Sequence, residues 1–340
     1  MRTFLSNCIQ EAVLKLRFPV LILLSGIVVA LVACGDKSSL REDHPIKPIR
    51  EYERMIVGRL DADYIGNTAC LEKCHAHDKI FKDFNESVHS SQVDAASGLP
   101  LVNCESCHGP GSIAVQNVRE DQPCDYKSLL DIENLPAMAQ SLICVKCHSA
   151  VSTPTLQFWN ASTHNLNEVS CFDCHELHKG PQQKVSREET ADLCFKCHQE
   201  LEMEFNNFSH HPVPEGKLAC SDCHNPHGTA NDKMLLGVTA KATCTKCHME
   251  YQGPFVYEHA DVTEDCINCH KPHGSPNEPL LQVAQPFLCM QCHVAHTEHD
   301  HAFDSTTHKQ AYFNRCTDCH SMIHGTDIPS FSGRGDFLAR

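Results

Sequence analysis

The sequence predicts a mostly irregular fold built from short α-helices, with almost no β-sheet. Three observations lead there. Ten short Cys/His signatures recur between Cys70 and His320. Aromatic residues make up only 6% of the 340 residues, and Trp159 is the only tryptophan, which is thin for an ordinary core of this length. The 18 prolines and 16 glycines mostly punctuate loops, as in Asn225-Pro226-His227-Gly228. From His148 onward the signature histidines recur every 22–27 residues. Such a repeat argues for a quasi-linear, elongated array rather than a single globule.

Nine signatures read Cys-x-x-Cys-His. They are Cys104, Cys107 and His108; Cys144, Cys147 and His148; Cys171, Cys174 and His175; Cys194, Cys197 and His198; and Cys220, Cys223 and His224. The series continues with Cys244, Cys247 and His248; Cys266, Cys269 and His270; Cys289, Cys292 and His293; and Cys316, Cys319 and His320. The first signature, Cys70-Leu71-Glu72-Lys73-Cys74-His75, carries one more residue between its cysteines. Two thiols that add across the two vinyl groups of one haem must stand about one helical turn apart. The histidine directly behind them then lies under the iron as the proximal ligand. Composition alone would produce about 0.1 such motifs in this chain. Zinc is the main rival, but zinc sites draw on two separated ligand pairs. Disulfides fit worse, because cysteines so close together bridge only under strain and the histidines would go unexplained. With about thirty residues per haem, the chain cannot wrap each one separately, so the haems must lie against one another inside a polypeptide sleeve.

Fifteen histidines fall outside the signatures, and ten haems with two imidazoles each need ten of them. His178, His227, His273 and His296 each follow a proximal histidine by three residues, and His324 by four. His89, His164, His210 or His211, His259 and His308 lie between signatures and complete the set, with His210 and His211 competing for one place. His44, His77, His299 and His301 are left over. Ligation by two histidines throughout closes the axial positions to small substrates and suits electron transfer.

Twenty of the 23 cysteines belong to the signatures; Cys8, Cys34 and Cys124 do not. Haem attachment of this kind happens outside the bacterial cytoplasm, and residues 1–33 read as an export signal. Basic residues come first, and the apolar run Phe18–Ala33 follows, short for a bilayer span. It ends in Leu31-Val32-Ala33-Cys34, which resembles a lipobox and makes Cys34 the expected lipidated first residue. The expected location is therefore periplasm and outer membrane, lipid-anchored, with Cys8 discarded alongside the signal. Residues 34–60, polar and holding Pro45 and Pro48, read as a flexible tether. The stretch between His108 and Cys144 reads as a surface loop, its Cys124 as a free thiol, buried or at the surface, and residues 326–340 as a loose polar tail. The precursor carries a net charge of −15, and loss of the leader's three basic residues and one acidic residue takes it to −17. That charge disfavours nucleic-acid binding.

The stretches Trp159–His178, Ser209–Leu236 and Gly253–Ser275, which include the YEHA and CHKPHG runs around His259 and His273, resemble the MtrA/DmsE decahaem cytochromes. The likeness runs from about Tyr64 to the C-terminus. It implies two pentahaem halves, which we place at 61–200 and 201–325. It also implies an extended wire inside an outer-membrane β-barrel porin, exchanging electrons with periplasmic and extracellular redox partners such as other cytochromes. His259 and His273 are the distal ligands it carries over most directly. The sequence departs from the family in its longer first signature and in its lipobox-like cysteine. An electron conduit is thus the leading expectation. The alternatives are a periplasmic reductase of nitrite, hydroxylamine or a sulfur oxide, and a shuttle or cytochrome filament.

Overall fold

The computed structural model describes residues 47–76, 78–98, 101–116, 124–178, 187–231, 233–259, 265–293 and 313–329. The chain divides into two compact units, Met1–Glu51 and Tyr52–Arg340, and both expected halves, 61–200 and 201–325, fall in the second. The architecture is mostly irregular. The longest described helices, Ala137–Val145 and Arg187–Phe195, run nine residues each. The sheet consists of two short antiparallel strands, β1 (Ser209–His210) and β2 (Gly274–Ser275), with Ser209 opposite Ser275 and His210 opposite Gly274. Among the described residues no helix is long and apolar enough to cross a membrane.

Each signature folds as one turn. In eight of the nine regular signatures the histidine N–H donates to the carbonyl of the first cysteine at 2.8–3.0 Å. The ninth, Cys104–His108, is itself a five-residue α-helix. A bond reaching four residues back is the closure of one α-turn, and it places the two cysteines and the histidine in a constant relation.

These turns alternate between two kinds. Cys144, Cys194 and Cys244 lie in the last turns of the helices Ala137–Val145, Arg187–Phe195 and Ala240–Cys244, and Lys146, Lys196 and Lys246 follow them. The turns at Cys171, Cys220, Cys266 and Cys316 instead begin from an extended residue. Asp173 and Asp222 reach back to accept the backbone N–H of Ser170 and Ala219 at 2.6 and 2.9 Å, which satisfies a donor at the start of the turn. Asn103 and Ser106 do the same reciprocally ahead of Cys107, at 2.8 and 3.1 Å.

A second device recurs three times and joins segments far apart in sequence. Gly228, Gly274 and Gly325 each follow a non-signature histidine, and each backs onto the segment that leads into another. A Cβ on Gly228 would meet the Phe158 carbonyl and the Ser162 side chain at 2.8 Å. One on Gly274 would collide with the Glu204 carbonyl, and one on Gly325 with the Phe255 ring. The positive φ of Gly228 (105°) and Gly325 (116°) adds a conformational demand that glycine meets without steric cost. Two residues past the histidine the chains join: Ser275 pairs with Ser209, and Thr326 exchanges two 2.9 Å backbone bonds with Tyr257.

The apolar core is small. Ala191, Phe205 and Val213 are buried together, with Phe195, Leu218 and Cys220 against them. Near the first signature a polar hub replaces it. The Glu105 side chain is buried, and its carboxylate accepts the N–H groups of Ile65, Gly66 and Gly111 at 2.9, 2.7 and 2.8 Å.

Three expectations from the sequence need correction. The tether ends in a helix, Ile49–Met55, and its Tyr52 is buried. The stretch between His108 and Cys144 is not an open loop: it holds the helices Ser112–Gln116 and Ala137–Val145, and Cys124 is 5% exposed. At the start of the expected tail, Thr326 is buried and bridges to Tyr257, and Asp327 accepts the Val256 N–H at 3.0 Å; residues 330–340 lie outside the described residues.

Candidate functional site: paired imidazoles and cysteines in series

Eight signature histidines each face one non-signature histidine. The ring centres of His108 and His178 lie 6.0 Å apart, those of His175 and His227 6.0 Å, and those of His270 and His324 6.1 Å, with interplanar angles of 16–19°. His259 and His293 stand 5.9 Å apart at 29°, and His224 and His273 6.3 Å apart at 35°. His89 with His148, His164 with His198 and His211 with His248 lie 6.1–6.2 Å apart at 56–60°. This spacing can be tested against a metal. Two metal–imidazole bonds of about 2.0–2.1 Å, plus a ring radius of about 1.1 Å on each side, put the ring centres about 6.3 Å apart. All eight pairs fit one iron between them.

The pairing follows a rule. A signature histidine in an even position of the series meets the histidine just behind the signature two places further on. One in an odd position meets a histidine ahead of the signature before it. No sequence spacing announces this rule, because partners stand 34–70 residues apart.

Hydrogen bonds at Nδ1 orient these rings and leave Nε2 for the partner side. His164 and His211 donate to the Pro226 and Pro272 carbonyls at 2.8 and 2.5 Å. His224 and His270 donate to the Lys233 and Pro279 carbonyls at 2.8 Å. His273 is held by Glu204 at 3.1 Å. Burial lowers the pKa of His89, His108, His227, His273 and His324, favouring the neutral ring that coordinates a metal.

The structure separates the two competing histidines. His211 faces His248, whereas His210 has both ring nitrogens engaged, by the Asn207 carbonyl at 2.6 Å and Glu215 at 3.0 Å. His296 and His308, the remaining expected ligands, lie outside the described residues, as do His44, His77, His299, His301 and Cys34.

The cysteines run in series as well. First cysteines are near neighbours in pairs: Cys70 with Cys104, Cys144 with Cys171, Cys194 with Cys220, Cys244 with Cys266, and Cys289 with Cys316. The neighbouring first-cysteine thiol brings Cys171 down to about 7 and does the same for Cys220. Burial, ahead of the neighbouring thiol, raises Cys244 to about 12 and Cys289 to about 11. Between those pairs the second cysteines are electrostatic neighbours: Cys107 with Cys147, Cys174 with Cys197, Cys223 with Cys247, and Cys269 with Cys292. Each signature therefore lies near the next in chain order, alternately through its first and its second cysteine.

One signature cysteine departs from this scheme. Cys74 is disulfide-bonded to Cys124, with 5.9 Å between their Cα atoms. This corrects the expectation of a free thiol at Cys124. It also occupies the sulfur expected to form a thioether at Cys74. The other nineteen signature cysteines carry no disulfide.

A covalently bound haem would account for two thiols and an imidazole in constant register, and the facing imidazole could supply a second ligand to its iron. The fold and these sites define a multihaem c-type cytochrome, an electron-transfer protein. Comparison with known proteins agrees. Residues 164–203, 210–253 and 259–298 match the doubled CXXCH motif family, each match spanning an odd signature region and its neighbour. The chain is 34% identical over 273 residues to the multihaem cytochrome MtrA of Shewanella baltica (strain OS185), covering 78% of this chain and 80% of that protein. The chain belongs to the MtrA family of multihaem cytochromes.

Proposed function

We propose that this protein holds ten haems, each between two imidazoles, and conducts electrons across the outer membrane inside a β-barrel partner. The observation that carries the reading is the set of eight imidazole pairs at iron-bridging distance, and the nearness of cysteines in successive signatures agrees with it. Haem iron with both axial positions filled exchanges single electrons with little rearrangement. The chain's own residues supply the rest. His108, His148, His175, His198, His224, His248, His270 and His293 are the proximal ligands. His178, His89, His227, His164, His273, His211, His324 and His259 are their respective distal partners. The Pro226, Pro272, Lys233 and Pro279 carbonyls hold the rings in one orientation, so that changing oxidation state requires no movement of the ligands. Paired first cysteines bring the thioether edges of neighbouring sites together, which supports contiguous transfer along the series.

Two pentahaem halves, 61–200 and 201–325, a lipid on Cys34 and a place between periplasm and outer membrane complete the proposal. The acidic, polar chain cannot lie in hydrocarbon unaided, because exposed irregular backbone has no partner there. A closed barrel would shield it. The test is reconstitution. The holoprotein should co-purify with an outer-membrane barrel, and liposomes containing both should reduce an external acceptor from an internal donor. The holoprotein alone should carry no current. A haem-replete preparation with no barrel partner and no current in the mixed liposomes would leave the shuttle or filament as the better account.

A further inference from the structure

The first signature differs from the other nine in a way that changes its chemistry. Its extra residue is absorbed as a π-turn, Cys70–Cys74, closed by the His75 N–H donating to the Cys70 carbonyl at 3.0 Å. Cys70 and His75 thus keep the relation that the first cysteine and histidine have elsewhere, and the insertion falls on Cys74. Cys70 also neighbours Cys104, the first cysteine of the next signature, and its thiol donates to the Gly66 carbonyl at 3.8 Å. The Cys104 backbone N–H is in turn held by Asn67 at 2.8 Å. His75 is oriented by Asp78 at 2.5 Å from its Nδ1.

Cys74 belongs to a different arrangement. Four later second cysteines neighbour the second cysteine of the following signature, whereas Cys74, at the head of the series, is bonded to Cys124. Cys124 belongs to no signature. It is buried, and the Asp125 N–H anchors the strand of chain behind it to the Ala114 carbonyl at 3.2 Å. Ala114 is itself buried, in the short helix Ser112–Gln116.

We propose that the haem at the first signature is attached by one thioether, through Cys70, and that Cys74 is withheld from it by the disulfide to Cys124. Thioether formation adds a thiol S–H across a vinyl double bond, with sulfur bonding one carbon and the hydrogen going to the other. A disulfide sulfur has no hydrogen to add. The disulfide forms when the two thiols lose two protons and two electrons to a thiol–disulfide oxidoreductase of the oxidising compartment into which such proteins are exported. The two reactions compete for Cys74, and the buried position of Cys124 directs it to the disulfide. One vinyl group of that haem then stays unsaturated. The inference rests on haem attachment at the remaining signatures, and the assay separates the two claims.

The experiment is peptide mapping by mass spectrometry of the exported, haem-loaded full-length protein, digested without reductant after alkylation. The expected map links the Cys74 peptide to the Cys124 peptide, with haem on Cys70 alone and no alkylation at Cys124. The pyridine haemochrome of the whole protein should show a minor component shifted to longer wavelength by the retained vinyl. Haem on both Cys70 and Cys74 with an alkylated Cys124 overturns the proposal, and so does a first signature without haem. Absence of haem from the other nine signatures would instead overturn the reading of the protein as a whole. Cys74→Ala should keep the full haem complement, and Cys70→Ala should lose one haem. Cys124→Ala should free Cys74 to form the second thioether, abolishing the long-wavelength component. If it folds, is fully loaded and retains that component, the proposal fails.

Discussion

His210 and His211 are adjacent, and the structure assigns them opposite roles, so replacing each by alanine is a sharp test. His211 faces His248 across 6.2 Å, and its Nδ1 is bonded to the Pro272 carbonyl. His210 is spent on Asn207 and Glu215. His211→Ala forfeits one intramolecular hydrogen bond, a net cost of about 1 kcal/mol. That is small beside a domain stability of about 5–15 kcal/mol, so the protein should remain folded. The thioethers at Cys244 and Cys247 are untouched, and the haem count should not change. One iron in ten loses an axial imidazole and becomes high-spin. Magnetic circular dichroism or EPR of the oxidised protein should therefore show the low-spin signal reduced by one-tenth, with a matching high-spin fraction. His210→Ala should leave the spectrum as in the parent. A fully low-spin His211→Ala protein, or a high-spin fraction in His210→Ala, would refute the pairing rule at this position and weaken it elsewhere.

Three other outcomes follow from the same geometry. The interplanar angles fall near 16–19° for three pairs and 56–60° for three others, so the EPR spectrum should resolve rhombic low-spin haems from strongly anisotropic ones; a single homogeneous low-spin signal would contradict the ring orientations. Gly228→Ala should cost about 1–3 kcal/mol through positive φ and the close Phe158 carbonyl, and should disturb the ligands His227 and His164 together, so that two irons rather than one change spin state; an unchanged melting temperature and spectrum would show that the clasp is dispensable. Glu105→Ala orphans the N–H groups of Ile65, Gly66 and Gly111 and should destabilise the protein by about 2–4 kcal/mol in chemical denaturation; a variant as stable as the parent would mean that water replaces the carboxylate at no cost.

Much of the site was legible in the sequence because attachment is local. A haem c signature is complete within five residues, closed by one backbone bond from histidine to first cysteine, and no distant segment is needed to form it. Eight of the histidines expected from counting and from their recurrence near the signatures are the ones that face a signature histidine. Another local signal is lysine before the second cysteine at Lys146, Lys196 and Lys246, against aspartate at Asp173 and Asp222. It marks the alternation between turns that end a helix and turns capped at their start by a carboxylate.

The sequence by itself determined how many Cys/His signatures the chain carries, that the chain binds haem c and that sheet would be nearly absent, since each of these depends on neighbours along the chain. Only the tertiary structure decided which imidazole meets which, that His211 and not His210 turns toward a partner, and that Cys74 is claimed by Cys124. Those choices depend on segments 34–70 residues apart for the rings, and 50 for the disulfide, docking at glycine-backed clasps and buried hydrogen bonds. Contacts over such separations are selected by the packing of the whole chain, and a local motif carries no record of them.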